Sequence, residues 1–575
     1  MSKSSRQNFM QGALILVLSN LIVKVIGACF KIPLTHLLHE EGMAIFNTAY
    51  QVYAALFAIS TTGLPIAVSK MVAEGMAQKR VQFCRKVFRV SFVLLGGIGF
   101  AGSLVLLFGA PYLAKWMGDS MAATGIMAIA PALLFICLAS CYRGFFQGMQ
   151  NMKPTAVSQL IEALVKLLLG FSLAYLFMKT ARESAALAGT TVSYEIPAAG
   201  AIFGITVGIV LSAVYLMFRY LHFSHKLYRR PDPAGSDSTR LRSIAKQLIL
   251  IAVPITLGAC VSSITAVVDT AMIRVRLQGI TFSPEQAERL MELCKTGLYD
   301  QENIFSSFRE SLTLSEGAAR WLYGSYSGYA SSLFNLPSTV ILALGMSLVP
   351  AISSAIAVNN ERQARRAARS SIRLTLLFAL PCAAAFLASA SPILLLILNN
   401  DSSELMLKIL APACLFVTLV SITTSILQAS GHIIIPVRNM LIGGILKVIL
   451  NFLLIGNPDI HIFGASISTN LCYFLIAGMN LWAVKKTMGI HFAFRRTLLR
   501  PAAAAAVMGI ALWLMHRYLP LFMPASIQTI LILGIGAIIY VVFLLLLRAM
   551  CKEDIEMLPK GKKIVKVLAK YRVFD

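Results

Sequence analysis

The sequence is divided into apolar runs of about 20 residues, each long enough to cross the hydrocarbon core of a bilayer as an α-helix. The runs lack the strict alternation of apolar and polar residues that membrane β-strands show. Because hydrocarbon offers no hydrogen-bond partners, only helices and closed barrels can span a membrane. The runs therefore predict an all-α polytopic membrane protein.

Composition supports a bilayer as the solvent of this chain. Of its 575 residues, 57% are hydrophobic and only 13% are charged, and the mean hydropathy is +0.75. Soluble proteins carry about 25% charged residues. A soluble core could not absorb this much apolar sequence.

Fourteen runs can be separated, and we expect the first to be a retained helix because no small-residue cleavage site follows it. The eighth run is long and contains Pro337, Gly345 and Pro350, so we expect it to kink. Gly63 and Pro65 mark a second candidate hinge. The predicted spans are residues 9–30, 45–68, 90–113, 122–142, 155–178, 197–218, 248–272, 322–356, 374–398, 405–430, 436–456, 462–484, 498–519 and 526–548.

The distribution of basic residues predicts the orientation in the membrane. With the N-terminus inside, 36 of the 51 Lys and Arg residues fall on inner segments and 12 on outer ones. We therefore expect a cytoplasmic (inner) membrane protein with both termini in the cytoplasm. The net charge of +26 then reflects this topology and attraction to anionic membrane lipids. The charge is scattered over loops without an aromatic-lined patch, which argues against binding of nucleic acid.

The two halves of the chain resemble each other. Residues 146–171 match residues 427–452 at an offset of 281, with a glutamine and a lysine at corresponding places. Gly63 and Gly345 are related by nearly the same offset, 282. Both halves would begin inside, so the repeat is parallel, as in transporters whose substrate site lies between two lobes. We expect two six-helix lobes plus two additional helices.

This repeat predicts the domain organisation. A basic cytoplasmic linker is expected between the lobes, and a mixed-charge outer loop within the second. The basic tail is expected to lie on the inner leaflet, with a partner-binding segment as the alternative. The predicted parts are an N-terminal lobe 1–220, the linker 221–247, a C-terminal lobe 248–485 with outer loop 279–318, helices 13 and 14 at 498–548, and the tail 549–575.

Four motifs carry a family resemblance: LIVKVIGACFKIPL (21–34), STTGLPIAVSKMVAEG (60–75), YRGFFQGMQNMKPTAVSQLIE (142–162) and YGSYSGYASSLFNLPSTVILALGMSLVPAIS (323–353). They resemble the multidrug/oligosaccharidyl-lipid/polysaccharide (MOP) flippase superfamily. More narrowly, they are similar to the stage V sporulation protein B group of polysaccharide exporters, relatives of the lipid II flippases. The resemblance implies a V-shaped core of twelve helices plus two more. It also implies translocation of an undecaprenyl-diphosphate-linked sugar, a peptidoglycan precursor or polysaccharide unit, to the outer leaflet.

The chain departs from the lipid II flippases in one motif. Those proteins typically carry an Asp-Arg pair before the Leu-x-x-Leu-Pro sequence of helix eight, and here the pair is Ser331 and Ser332. The arginine that is thought to meet the pyrophosphate is therefore absent, and another cation would have to take its place.

Charged residues inside the spans are the candidate functional residues, because an ionisable group facing lipid costs several kcal/mol. Lys24, Lys31, Glu162 and Lys166 are the candidate substrate-binding residues, and Lys24 has no nearby acid on its own helix. Lys31, at the end of its predicted span, could instead snorkel. Glu162 and Lys166 stand four residues apart and could form a structural ion pair or face a substrate cavity.

A second candidate site lies in the C-terminal lobe. Asp269 is predicted on helix seven, and Lys447 and Asn451 lie one turn apart on helix eleven. Sodium-coupled relatives are similar in placing carboxylate and amide ligands on these two helices. Our hypothesis is that the Lys447 ammonium substitutes for a bound cation and pairs with Asp269; alternatively Asp269 reaches outer water.

No motif points to an enzyme, a cofactor or a metal. The chain has no phosphate-binding loop, HExxH sequence or Cys/His quartet. His36, His39, Glu40 and Glu41 could suggest a metal site, but they are expected at a helix end facing water.

The leading interpretation is a flippase for a lipid-linked anionic substrate. The alternatives are a cation-coupled multidrug exporter of the same fold, for which acidic cavity residues would be expected, and a non-transporting scaffold in sporulation or envelope assembly. The sequence does not indicate the oligomeric state.

Overall fold

The computed structural model describes residues 3–61, 63–78, 80–149, 151–228, 240–294, 308–357, 360–490, 495–518 and 524–549. Apart from one isolated bridge between Thr281 and Thr313, their regular structure is helical. Eleven segments of the described chain are long and apolar enough to cross a membrane, and one, Ile22–Met76, overlaps the first predicted span and contains the second. The all-α polytopic fold is thus confirmed, while the count of fourteen spans stays a prediction.

The chain forms two compact units, Met1–Val275 and Arg276–Asp575. The first unit is built from eight long helices, of which the fifth runs through a π-helical turn, Lys166–Gly170, into the sixth. These helices are α1 Lys3–Thr61, α2 Gly63–Ala77, α3 Val81–Trp116, α4 Ala122–Gly148, α5 Lys153–Val165, α6 Phe171–Ala188, α7 Glu195–Tyr228 and α8 Leu241–Gln278.

The second unit contains the remaining helices, with further π-helical turns at Ser325–Ala330 and Arg495–Leu499. Two short helices, α9 Pro284–Cys294 and α10 Phe308–Ser311, lie in the predicted outer loop. The others are α11 Glu316–Gly324, α12 Ser331–Phe334, α13 Leu336–Ala357, α14 Glu361–Ala388, α15 Ala390–Leu398, α16 Glu404–Ala429, α17 Ile434–Ile455, α18 Phe463–Met488, α19 Arg500–Tyr518 and α20 Ala525–Leu546.

Helix α8 groups with the first unit, whereas the sequence repeat assigned it to the second lobe. Gly63 explains the grouping, because a side chain there would overlap the backbone of Ala252 and the hydroxyl of Thr256 on α8. Near its other end, Arg274 pairs with Asp119 in the α3–α4 connection. Two separate contacts therefore fasten α8 to the N-terminal helices.

Helix α1 is longer than predicted and combines the first two predicted spans. Its only non-helical backbone is at His39 (φ 52°, ψ −164°), where two helical parts meet at a kink. The first part continues through Pro33, so Lys31 lies about two turns before the kink. Lys31 is thus inside the helix, and not at its outer end as the predicted span 9–30 placed it.

The packing of equivalent helices supports the repeat. In the first unit, a Cβ at Gly144 on α4 would lie 2.7 Å from the carbonyl oxygen of Pro65 on α2. In the second, a Cβ at Gly345 on α13 would lie 2.5 Å from the hydroxyl of Ser425 on α16. Gly144 and Ser425 are separated by the repeat offset of 281. The two helix pairs that the repeat relates, α2 with α4 and α13 with α16, therefore pack closely at equivalent positions.

The predicted kink in the eighth span lies earlier than expected. Helix α13 runs without a break through Gly345 and Pro350, and the interruption falls at the π-helical turn before α12 and at Asn335, which separates α12 from α13. Asn335 precedes Leu336-Pro337, and the first turn of a helix tolerates proline because no intrahelical hydrogen bond is lost there. The hinge roles of these residues and of Gly63 and Pro65 stay predictions.

The two C-terminal helices pack on α14. The Tyr540 hydroxyl on α20 donates a hydrogen bond of 2.8 Å to the Leu377 carbonyl, and a shared apolar cluster surrounds this contact. This matches the expectation of two helices added to the repeat. The basic tail, beyond residue 549, and the central part of the outer loop, residues 295–307, lie outside the described residues.

Candidate functional site

Three lysines on the helices of the first unit form the candidate anion site. Lys24 and Lys31 are both on α1, seven residues apart, which places them on one face roughly 10 Å from each other. Lys166 begins the π-helical turn after α5. The Lys24 side chain is exposed on the protein surface, and the other two are half-buried.

The ammonium group of Lys166 lies against aromatic rings of α1. Its Nζ is 4.9 Å from the ring centroid of Phe30 and 4.8 Å from that of Tyr50. Such cation–π contacts stabilise a charge that has lost part of its water. The Tyr50 ring in turn packs against Phe46 and Tyr53, with centroids 5.6 and 5.4 Å away. The lysine is therefore held in place by a row of rings and not by a carboxylate.

Glu162 and Lys166 do not form the structural ion pair that was one of the two alternatives for their spacing. Glu162 instead accepts a hydrogen bond of 3.1 Å from Arg143 at the end of α4 and one of 3.3 Å from the Tyr53 hydroxyl. Arg143 also donates from Nε to Ser158, 3.1 Å away. A planar guanidinium can reach both groups at once, so Arg143 and not Lys166 neutralises Glu162, although Lys166 follows Glu162 by one regular helical turn.

Because Arg143 neutralises Glu162, positive charge remains in excess at this place. Lys31 and Lys166 are near enough to repel each other electrostatically. No ion pair of Lys24, Lys31 or Lys166 is found within the described part of the chain. Two like charges held on helices inside a membrane favour binding of an anion, which would relieve their repulsion.

Sequence reasoning missed two buried arginines because it counted both as loop charges. Arg143 and Arg274 lie within α4 and α8, which continue beyond the predicted spans, and both are buried. Arg274 and Asp119 are fully buried (0% exposed) and form an ion pair, and Arg274 also donates to the Thr48 hydroxyl, 2.9 Å away. This cluster joins α8, α1 and the α3–α4 connection.

The second candidate site remains a prediction. Asp269 belongs to the first unit and Lys447 to the second, and both side chains are half-buried. Asn451 is buried one turn after Lys447, where it accepts a hydrogen bond from Ser468 on α18.

The serines that replace the Asp-Arg pair serve their own helix. Ser332 donates to the carbonyls of Ser327 and Gly328, and the carbonyl of Ser331 accepts from the Asn335 amide. The Ser332 hydroxyl thus supports the π-helical turn, whereas Ser331 contributes a backbone carbonyl. The lysines of the first unit are left as the candidate anion-binding cations.

Comparison with known proteins gives two family matches. Residues 9–356 match the model of the polysaccharide biosynthesis protein family, and residues 301–533 match that of the lipid II flippase MurJ. Together the two matches extend over most of the chain, in agreement with a resemblance that covers both halves.

Individual relatives cover nearly the whole chain. Stage V sporulation protein B of Bacillus subtilis is 23% identical over 96% of this chain and 98% of its own length. The lipid II flippase MurJ of the same organism is 23% identical over 92% and 94%. Among solved structures, a lipid II flippase MurJ in an inward closed conformation has a TM-score of 0.58 at 13% identity, covering 93% of this chain and 97% of that one. That likeness shows a shared fold.

Proposed function

The chain belongs to the polysaccharide biosynthesis protein family, within the MOP flippase superfamily, and from this premise we propose that it moves an undecaprenyl-diphosphate-linked sugar across the cytoplasmic membrane by alternating access. Its relatives are transporters and flippases of lipid-linked substrates, and this broad class applies to the chain. The sugar class, the mechanism and the orientation below are our proposals.

The observation that carries the proposal is the excess positive charge on α1 and at the α5–α6 turn. A diphosphate brings about two negative charges, and moving them bare through hydrocarbon would be prohibitive. Lys31 and Lys166 supply two matching charges, with an ammonium held over Phe30 and Tyr50. Lysine binds phosphate as a point charge. The substrate headgroup would thus cross beside these lysines while its prenyl chain stays in lipid.

A cation-coupled multidrug exporter is the competing function, because multidrug transporters share the superfamily. The charge at the candidate site argues against it, since Lys31 and Lys166 would repel a cationic drug. Glu162, the candidate acidic residue of this region, is already neutralised by Arg143. The fold alone does not separate the two functions.

A transport assay with both substrate classes tests the proposal. Proteoliposomes would be loaded with undecaprenyl-diphosphate carrying one, two or several sugars, and in parallel with a fluorescent cationic dye. We expect protein-dependent movement of the lipid-linked sugars and none of the dye. Dye transport without movement of any lipid-linked sugar would contradict the proposed function.

We also expect both termini on the cytoplasmic side, because basic residues concentrate on the segments that would then be inside. Single-cysteine variants can test this orientation with a membrane-impermeant maleimide. A protein retaining only Cys294, the last residue of α9, should react on intact cells. A protein retaining only Cys551 in the tail should react only after lysis, and the opposite pattern would contradict this topology.

Cys84 provides a matched control for the labelling experiment. It is fully buried on α3, and its thiol donates a hydrogen bond to the Val72 carbonyl, 3.5 Å away. A protein retaining only Cys84 should therefore resist the reagent before and after lysis, until it is denatured. Its labelling before denaturation would show that the reagent reaches buried thiols, and the labelling of the other two variants would then not report the side of the membrane.

A further inference from the structure

The second unit contains a cavity of about 630 Å³ at the ends of four helices. Its volume lies within the range of small-molecule sites, about 300–1,000 Å³. The walls come from α9 and α11, from the α15–α16 and α17–α18 connections and from the first turns of α16 and α18, on the side that the charge distribution places outside. The wall residues used below are Arg289, Trp321, Asp401, Glu404, His461 and Phe463.

His461 is the unusual residue of this cavity. It is 4% exposed, its φ is +39°, and its Nδ1 has no hydrogen-bond partner among the described residues. Buried polar atoms are almost always paired, and positive φ in residues other than glycine concentrates at functional sites. Burial lowers the pKa of His461 to about 4, so the imidazole is neutral at pH 7 and can donate or accept.

The backbone around His461 is firmly held. Its amide donates to the Asn457 carbonyl at 2.8 Å, and its ring centroid is 4.8 Å from that of Phe463. Two residues before His461, the Asp459 carboxylate accepts a hydrogen bond of 2.7 Å from Gln286 of α9. The imidazole is therefore kept at the cavity by its neighbours, although its own ring nitrogen gains no bond within the described residues.

The charges of the cavity wall balance each other. Glu404 pairs with Lys408 at 2.6 Å, and Arg289 pairs with Glu285 at 2.6 Å. Asp401 accepts a hydrogen bond of 3.2 Å from Ser391. Such a wall lacks the single sign of charge that would select a diphosphate or a cation. It offers hydrogen-bonding groups of both kinds beside the aromatic side chains of Trp321 and Phe463, which suits a polyhydroxylated ring.

We propose that this cavity is a saccharide-binding site, with His461 as a hydrogen-bonding residue and Trp321 in its apolar wall. The choice of a saccharide rests on the proposed function, because the sugar headgroup of a translocated lipid would reach this side. Free oligosaccharides of the cell envelope have the same chemistry and are the second possible source.

Binding can be measured by isothermal titration of the full chain in lipid nanodiscs. The probes are the N-acetylglucosamine disaccharide, and the same sugar on undecaprenyl diphosphate added to the nanodiscs as a competitor. We expect saturable binding of the disaccharide. Competition by the lipid-linked probe would identify the translocated headgroup as the source, and undiminished binding would identify free saccharide.

Two variants test the residues. His461→Asn keeps a side chain that tolerates positive φ, but the shorter amide does not reach the imidazole position. We expect it to weaken disaccharide binding about 3–10-fold, the effect of losing one hydrogen bond between neutral groups. Trp321→Leu should weaken it as well. The matched controls are His432→Asn, in the exposed α16–α17 turn, and Trp482→Leu, on an exposed face of α18.

The proposal is overturned if the wild-type protein binds no saccharide, or if His461→Asn, with an unchanged melting temperature, binds the disaccharide as well as wild type does. Lipid flipping by the wild-type protein separates this result from the proposed function. Flipping without disaccharide binding contradicts only the cavity proposal. Disaccharide binding without flipping of any lipid-linked sugar contradicts only the proposed function.

Discussion

Replacing Asp119 with alanine should destabilise the first unit by about 3–5 kcal/mol, because Arg274 would then keep a buried charge without its carboxylate. Both side chains are 0% exposed, and Arg274 also donates a hydrogen bond to the Thr48 hydroxyl. Arg274→Met should be similarly harmful, since it strands the Asp119 carboxylate. For a unit of this size, the melting temperature should fall by roughly 6–10 °C.

The double variant Asp119→Ala/Arg274→Met provides the decisive comparison. It removes both charges and keeps an apolar side chain of similar length at position 274, so its loss should be well below the sum of the two single losses. Glu183→Ala is the control, because its pair with Lys179 at 3.9 Å is exposed and should contribute less than about 1 kcal/mol.

Trp116 offers a local probe, since it is the only tryptophan in the first 275 residues. Melting can be followed by its fluorescence in a background with phenylalanine at the other three tryptophan positions. Additive losses in the double variant would show that the two charges do not depend on each other. An unchanged melting temperature in Asp119→Ala would contradict the importance of the pair.

The sequence predicted the positions of the helices well but their ends less well. The errors at the ends affected which charged residues were assigned to helices and which to loops. Apolar content identified α4 and α8 because hydropathy is a property of a whole segment. The same criterion stopped before Arg143 and Arg274, since a charged residue lowers the local hydropathy. A boundary error of a few residues thus turned two buried arginines into loop charges.

The site itself was predicted by residue type but not by pairing. Lys24, Lys31, Glu162 and Lys166 stood out because charge in a span is expensive. The partner of Glu162 did not follow from spacing, since Arg143 comes from another helix and the π-helical turn at Lys166 has no signal that we recognised in the sequence. His461 had no signal either, because its backbone strain and unpaired nitrogen exist only in the folded loop.

Replacing Lys24 with alanine should produce the largest loss of transport. Lys24 lies about two turns closer than Lys31 to the predicted inner end of α1, and its side chain is exposed. A headgroup entering from the inner leaflet would meet it before it reaches Lys31 and Lys166. Losing a charge-assisted hydrogen bond of about 1.5–3 kcal/mol corresponds to a reduction of roughly 10–150-fold in flipping.

The variant Lys24→Arg separates the effect of the charge from that of the side-chain shape. It keeps a cation with a different geometry and should retain part of the activity.

Lys166→Met should also lower flipping, because it removes one of the two charges that would balance the diphosphate. Lys70→Ala, at an exposed lysine on α2, is the matched control and should flip at the wild-type rate. All variants would be compared at equal amounts of membrane-inserted protein in the same proteoliposomes. Wild-type flipping by Lys24→Ala would remove Lys24 from the substrate path, and wild-type flipping by Lys166→Met as well would leave the excess charge of the first unit without a role in transport.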